Sequence, residues 1–385
     1  MSQPVPILFT SWYSGLGGGE TDLISIASHL DQTRYLPHLL LPREGQLGDV
    51  WREMGYPVHT THWRGATTWY IPALWQRFPV VDRIEKIIRD EQIQHVHCYY
   101  HTLPFAYAAA KRAGISITWT VWGWWFQPKP WQRHFFQMPN KTLAGSGSVK
   151  KGFLGEPPFM NPDDVPIMHS GVDVQRFNPG IDGDAFRAEL DIAPETPLVA
   201  LVARFQEVKG HHTFQAMVKI LAEQIPEAVF IVAGESIFGV ASENEYRDRI
   251  LQQAQNDPQL QGRLRYIGFR DDVERILKAA DVVVCPSQFE SYGRVNVEAL
   301  ACETPIVSSN EGGPSETIVH GEVGYLVPPG DAAMLAHYVL ELLRDPQKRL
   351  QMGRAGRQHV IEHFSAEAVA ARYMRVFEEV MPKNH

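Results

Sequence analysis

Along its whole length the chain alternates short apolar runs, rich in β-branched residues, with amphipathic segments long enough for helices. A strand buried on both faces reads as a continuous apolar run, and parallel neighbours need a helical crossover between them. The pattern therefore predicts an α/β protein built on parallel sheets. Strands are expected at 6–10, 36–41, 94–98 and 115–121, with helices at 21–30 and 80–90; the second helix puts Val80, Ile84, Ile87 and Ile88 on one stripe. The same grammar restarts with strands at 198–203, 228–233, 264–267, 281–285 and 305–308, and helices near 212–224 and 294–302. A chain of 385 residues exceeds one compact core, so two domains are expected, 1–178 and 179–365, divided at the turn-rich stretch 177–183. Residues 366–380 read as a terminal helix.

Charge and cysteine content exclude several classes. The formal net charge is −8, which speaks against a nucleic-acid binder. Cys98, Cys285 and Cys302 are too widely spaced for a disulfide framework or a metal knuckle. No apolar run approaches the ~18 residues of a spanning helix, and the first residues lack the pattern of a signal peptide, so a cytoplasmic protein is expected. The halves differ: through Ser170 there are 15 Lys/Arg and 13 Asp/Glu, beyond it 21 and 31, and all ten tryptophans precede residue 132. That asymmetry suggests two domains with different tasks.

Three constellations could carry chemistry. Gly15-Leu16-Gly17-Gly18-Gly19-Glu20 lies between a strand and a helix and nearly matches the dinucleotide fingerprint, except that Glu20 takes the third glycine's place. Such a turn lets a phosphate or sugar approach backbone amides, or it is simply a tight turn. Arg204 and Lys209 follow the strand at 198–203; two cations at the carboxyl edge of a parallel strand suit a diphosphate, or form a solvated loop pair. After the strand at 281–285, Glu290 falls in the loop and Glu298 one to two turns into the next helix. Carboxylates accept hydrogen bonds from vicinal hydroxyls, and the helix start at Gly293 offers amides to an anion; the plainer reading is a cap and an exposed helix glutamate.

Together these residues resemble the retaining GT-B glycosyltransferases of family four, the "glycosyl transferases group 1". The family's E-x7-E motif is matched by Glu290 and Glu298, its GGxE by Gly17-Gly18-Gly19-Glu20, its hinge by Gly171-Val172-Asp173 through Phe177 and Pro179, and its Arg plus Lys-Gly pair by Arg204 and Lys209-Gly210. The resemblance spans about residues 7 to 365. It implies two Rossmann-like domains whose sheets face a central cleft, a terminal helix crossing back to the first domain, and a cytoplasmic, metal-independent, hexosyltransferase-type enzyme with no cofactor. The donor would be a nucleotide sugar, a UDP-sugar by expectation, and the acceptor a saccharide or a lipid-linked molecule. Arg204 and Lys209 would hold the diphosphate and Glu298 the ribose hydroxyls. Glu290 and the amides of Ser291, Tyr292, Gly293 and Arg294 would hold the sugar, Phe269 and Arg270 would flank the base, and Gly17 and Gly18 would lie on the donor.

Where many members of that family carry a histidine, this chain has Trp122-Gly123, so a catalytic histidine is not carried over. On the acceptor side, His97 and His101 follow a strand and could reach the cleft, as could Trp122 and Trp124. Residues 123–136 combine aromatic and basic side chains; they could touch the inner face of a membrane, line an acceptor groove, or pack as a proline-broken loop. Asp182-Gly183-Asp184 reads as turn chemistry, and no metal site is evident. Two rival readings are an NAD(P)-dependent oxidoreductase using the glycine-rich turn and a non-catalytic sugar-binding protein.

Overall fold

The computed structural model describes residues 3–62, 78–123, 128–131, 133–236 and 241–382. The chain divides into two compact units, Met1–Gly171 with Ala366–His385, and Val172–Ser365. The first holds six parallel strands, β1 (Val5–Thr10), β2 (Tyr35–Leu41), β3 (Val58–Thr60), β4 (His95–Tyr99), β5 (Ser116–Val121) and β6 (Lys141–Ala144), in the order β3-β2-β1-β4-β5-β6. The second holds β7 (Leu198–Val202), β8 (Val229–Ala233), β9 (Leu264–Gly268), β10 (Val282–Cys285), β11 (Ile306–Ser309) and β12 (Gly324–Val327), in the order β12-β11-β10-β7-β8-β9, again all parallel. Both sheets are wound alike. Each reverses its direction of growth once, between β1 and β4 in one unit and between β7 and β10 in the other, and such switch points open a crevice at the carboxyl edge.

Strand alternation explains why both sheets are buried on two faces. Leu198 and Ala200 join Ile231, Val283 and Ile306 in one apolar cluster, while Val199 and Leu201 join Val232, Val282 and Val284 in another. In the first unit Leu8, Leu40 and Val96 pack with Val80, Val81, Ile84 and Ile88 of the Pro79–Asp90 helix. The opposite face, with Ile7, Phe9, Leu39 and Leu41, is covered by the Ala366–Val380 helix. That helix uses Val369, Tyr373, Val376 and Phe377, a stripe at helical spacing. Phe377 meets Phe9 edge-on, with centroids 6.3 Å apart.

The expected strands agree with the observed ones to within a residue or two. Not foreseen are β3, β6 and β12, edge strands of three or four residues that are too short to show periodicity. The units divide at Gly171/Val172, not at the expected 178/179. Val172 donates its N–H to the Phe364 carbonyl at 2.9 Å, and Val174 and Phe177 lie in the second unit's core, so packing draws residues 172–178 into that unit. Asp182 accepts from the Ala185 amide at 2.9 Å and caps the Gly183–Glu189 helix, which is the turn chemistry expected of Asp182-Gly183-Asp184.

Candidate functional site

In the second unit the loops after β7 and β10 flank the switch point, and three contacts fix them against each other. Gly210 adopts φ +71°, and a Cβ there would meet the Pro286 carbonyl oxygen at 2.1 Å, so only glycine allows this approach. The Gln288 amide bonds to the Val208 carbonyl at 2.7 Å. Across this junction Lys209 Nζ lies 2.7 Å from Glu290 Oε2, with both side chains largely buried. A second donor, Ser287 Oγ, reaches the same carboxylate oxygen at 3.2 Å; Ser287 is 1 % exposed. Paired and hydrogen-bonded, the carboxylate is tolerated out of water.

The backbone of Glu290 is clamped as firmly as its side chain. Its carbonyl accepts from the Gly313 amide at 2.8 Å, and it bridges to Gly312. A Cβ on Gly312 would fall 2.1 Å from the Glu290 oxygen, and one on Gly313 would fall 2.4 Å from Tyr292 Cα. Gly293, at φ +83°, then starts the Arg294–Ala301 helix, which no side chain caps. A helix start of this kind carries a partial positive charge. Glu298 lies one turn in, its Oε1 3.3 Å from Arg294 Nε. Asn296 is fully buried and reaches Ser308 Oγ at 3.4 Å, which ties this helix to β11.

Arg204 is exposed at the end of β7, with its guanidinium 3.2 Å from Gln206 Oε1. Arg204 and Lys209 thus follow β7, and Glu290 and Glu298 follow β10, its neighbour across the switch point; cations and carboxylates of this kind can hold a diphosphate and a polyol. Phe269 and Arg270 follow β9, the edge strand on the other side of β8. The Phe269 ring is 74 % exposed. Arg270 is engaged by Asp272 and Glu189, each at 2.7 Å, and lies over the Phe186 ring. These contacts hold Asp272 down to about 2. Sequence reasoning missed Ser287 and the Gly312-Gly313 clamp; the signal was a Gly-Gly pair after a strand, whose partner only the fold identifies.

The first unit's switch point is built differently. Gly17 precedes the Gly18–Ser28 helix, and Glu20 turns back beneath it, 4 % exposed, taking a hydrogen bond from Ser11 Oγ at 3.3 Å. A Cβ on Gly17 would lie 2.8 Å from Glu20 Oε2, whereas Gly18 has open space around it. Burial raises the Glu20 carboxyl above its ordinary value. A side chain folded under the loop replaces the close helix-to-strand packing of a third glycine, which removes the basis for the dinucleotide reading.

His97 does not reach a crevice: it is fully buried within β4 and bonded to Thr118 and Thr120, because alternation turns it into the sheet's covered face. His101 lies beyond the strand, edge-on to Trp12 with centroids 5.8 Å apart, and burial lowers its pKa. The Trp122 ring covers Gly145, where a Cβ would fall 2.2 Å from it. Trp124 lies outside the described residues. Of the neighbouring aromatics, Phe135 and Phe136 are core residues, Phe136 stacked on Trp119 at 5.3 Å, and Trp131 is half exposed. No described helix is long and apolar enough to cross a membrane.

Residues 16–176 match the family model "Glycosyltransferase Family 4" and residues 182–359 match "Glycosyl transferases group 1". Over 264 residues, 66 % of this chain and 67 % of the relative, it is 29 % identical to the alpha-maltose-1-phosphate synthase of Mycolicibacterium smegmatis. The curated relatives are matched over half to two thirds of their own length. In fold it resembles a glycosyltransferase of Rickettsia africae ESF-5, at TM-score 0.86 and 19 % identity with both chains covered in full. It also resembles Anabaena Alr3699/HepE, solved in complex with UDP and glucose, at TM-score 0.77 and 21 % identity over 97 % of this chain and 99 % of that one. The two domains, each with its six-stranded parallel sheet, are those of the GT-B class, and the chain belongs to the group 1 glycosyltransferase family.

Proposed function

We propose that this protein transfers a hexose from a nucleotide sugar to a saccharide or lipid-linked acceptor, with retention of anomeric configuration and without a metal ion. The observation that carries the reading is the junction of Lys209 and Glu290, 2.7 Å apart, with Arg204 and Glu298 at the same switch point. Arg204 and Lys209 hold the diphosphate, Glu298 accepts hydrogen bonds from the ribose hydroxyls, and Glu290 with the amides of 291–294 grips the sugar. As the sugar–phosphate bond breaks, charge grows on the leaving oxygen; two cations and the helix start at Gly293 stabilise it. That leaving phosphate, on the sugar's own face, takes the acceptor's proton, so no protein base is required and Trp122 in place of a histidine is no obstacle. The Anabaena protein's UDP favours a UDP-sugar as donor.

Calorimetric titration with UDP, GDP, ADP and NADH tests this. The expected result is binding of UDP above the rest, lost in Arg204→Ala and in Glu298→Ala while both variants stay folded. Binding of NADH that Glu298→Ala leaves unchanged would overturn it. A donor sugar consumed with the opposite anomeric product, read by proton NMR, would overturn retention alone.

A further inference from the structure

In the first unit, on the sheet face covered by the Pro79–Asp90 helix, three side chains from three elements converge. His38 stands mid-strand in β2 and is 2 % exposed; His59 is in the edge strand β3, and Glu91 is the residue that ends the helix. His38 Nδ1 lies 3.2 Å from His59 Nε2 and 4.0 Å from Glu91 Oε2, with the two rings parallel at 1°. No catalytic role proposed above uses them.

We propose that His38 Nδ1, His59 Nε2 and Glu91 Oε2 form a binding site for a divalent transition-metal ion such as Zn²⁺. Ligand type comes first: two imidazoles and a carboxylate are a borderline-soft set that suits Zn²⁺ or Co²⁺ rather than Mg²⁺ or Ca²⁺. Spacing comes second. Ligands about 2.0–2.1 Å from a tetrahedral ion stand ~3.3 Å from each other. The imidazole nitrogens are already at 3.2 Å, and the half-exposed Glu91 side chain can swing inward. Charge comes third: Glu91 supplies a negative charge, and the carbonyl end of a 12-residue helix adds a partial one.

Without an ion, the buried His38 ring is held at Nδ1 by one hydrogen bond to a second imidazole. An ion would tie the three-residue edge strand β3 to β2 and to the helix end, with a water completing the coordination from the solvent side. The cluster stands mid-sheet and at the turn entering β4, whereas the glycine-rich turn follows β1 at the carboxyl edge; the ion is therefore expected to stabilise the unit rather than to take part in transfer.

The test uses the full, tag-free chain stripped with EDTA. Wild type should bind one Zn²⁺ or Co²⁺ per chain by calorimetry, with visible d–d absorption from Co²⁺ and a raised Tm. His59→Ala should lose roughly tenfold or more in affinity and the whole Tm rise, and Glu91→Gln should lose less. His38→Ala is avoided because it opens a core cavity. Circular dichroism of the stripped variants should match wild type. Failure of wild type to bind, or equal binding by wild type and His59→Ala, would overturn the proposal.

Discussion

The two sheets have the same strand order, all strands parallel, and each presents a switch point, yet they differ in what occupies it. In the second unit, charged side chains stand on loops locked by glycines whose neighbours are backbone atoms: Gly210 on Pro286, Gly312 on Glu290, Gly313 on Tyr292. In the first unit, the carboxylate at the corresponding turn, Glu20, is folded under the loop, and Gly18 stands in open space. The sheet interiors differ too. Strands β7, β8 and β10 are apolar throughout, while β4 and β5 bury His95 and His97 in a ladder of hydrogen bonds with Ser116, Thr118 and Thr120. One architecture therefore supports a rigid polar site in one copy and a buried polar core in the other, because the winding fixes only where loops emerge and not what they carry.

That contrast can be broken by substitution. The largest effect is expected at Lys209→Ala, which removes the partner of Glu290 and, on the proposed function, a cation beside the leaving group; transfer should then fall by roughly 10²–10³-fold with the fold intact, as steady-state kinetics and circular dichroism would show. If a cation removed from the first unit, such as Arg43→Ala, did equal damage, the assignment of the donor chemistry to the second unit would fail. Next comes Gly313→Ala, where overpacking against Tyr292 should cost about 1–3 kcal/mol in urea unfolding and reduce transfer through Glu290.

Acid should separate the two interiors. Burial holds His95 at about 3 and His97 well below its ordinary value in the first unit. Both are neutral when folded and take up protons near pH 6.5 when unfolded, so their contribution is complete above that pH. It declines as pH falls from about 6.5 towards the folded values. His211, which burial lowers to about 4, is the second unit's counterpart, beside His212 at its helix start and stacked on Phe205. Amide exchange at pH 7 and pH 5 should show β4 and β5 losing protection before β7 and β8; the reverse order would contradict this account. The smallest effect is expected for Gly18→Ala: with open space at the Cβ, stability should change by less than about 0.5 kcal/mol. A fall in donor affinity in that variant would then report a ligand at the turn, not a damaged fold.

Much of this was legible beforehand, for reasons that individual elements make clear. The strand at 198–203 could be read because six consecutive apolar residues must be buried on both faces, and Glu290 and Glu298 because their spacing across a strand-to-helix turn is local. The edge strands β3 and β12 could not, since three or four residues take strand geometry only by pairing with a neighbour already in place. His97 was expected to reach the cleft, but it points into the covered face of its strand, where Thr118 and Thr120 satisfy it. The Gly312 clamp on Glu290 and the meeting of His38, His59 and Glu91 were equally invisible.

The sequence by itself determined the parallel α/β character, the pairing of each motif with a strand end, and the family, because hydrophobic period and motif spacing are properties of short stretches of chain. Tertiary structure alone decided that Lys209 meets Glu290 across 81 residues, that Ser287 bonds to that carboxylate, that Glu20 lies under its loop, and that residues 172–178 join the second unit. Those outcomes depend on which strands become neighbours, and that choice is made by burying four apolar clusters at once rather than by any segment's own preference.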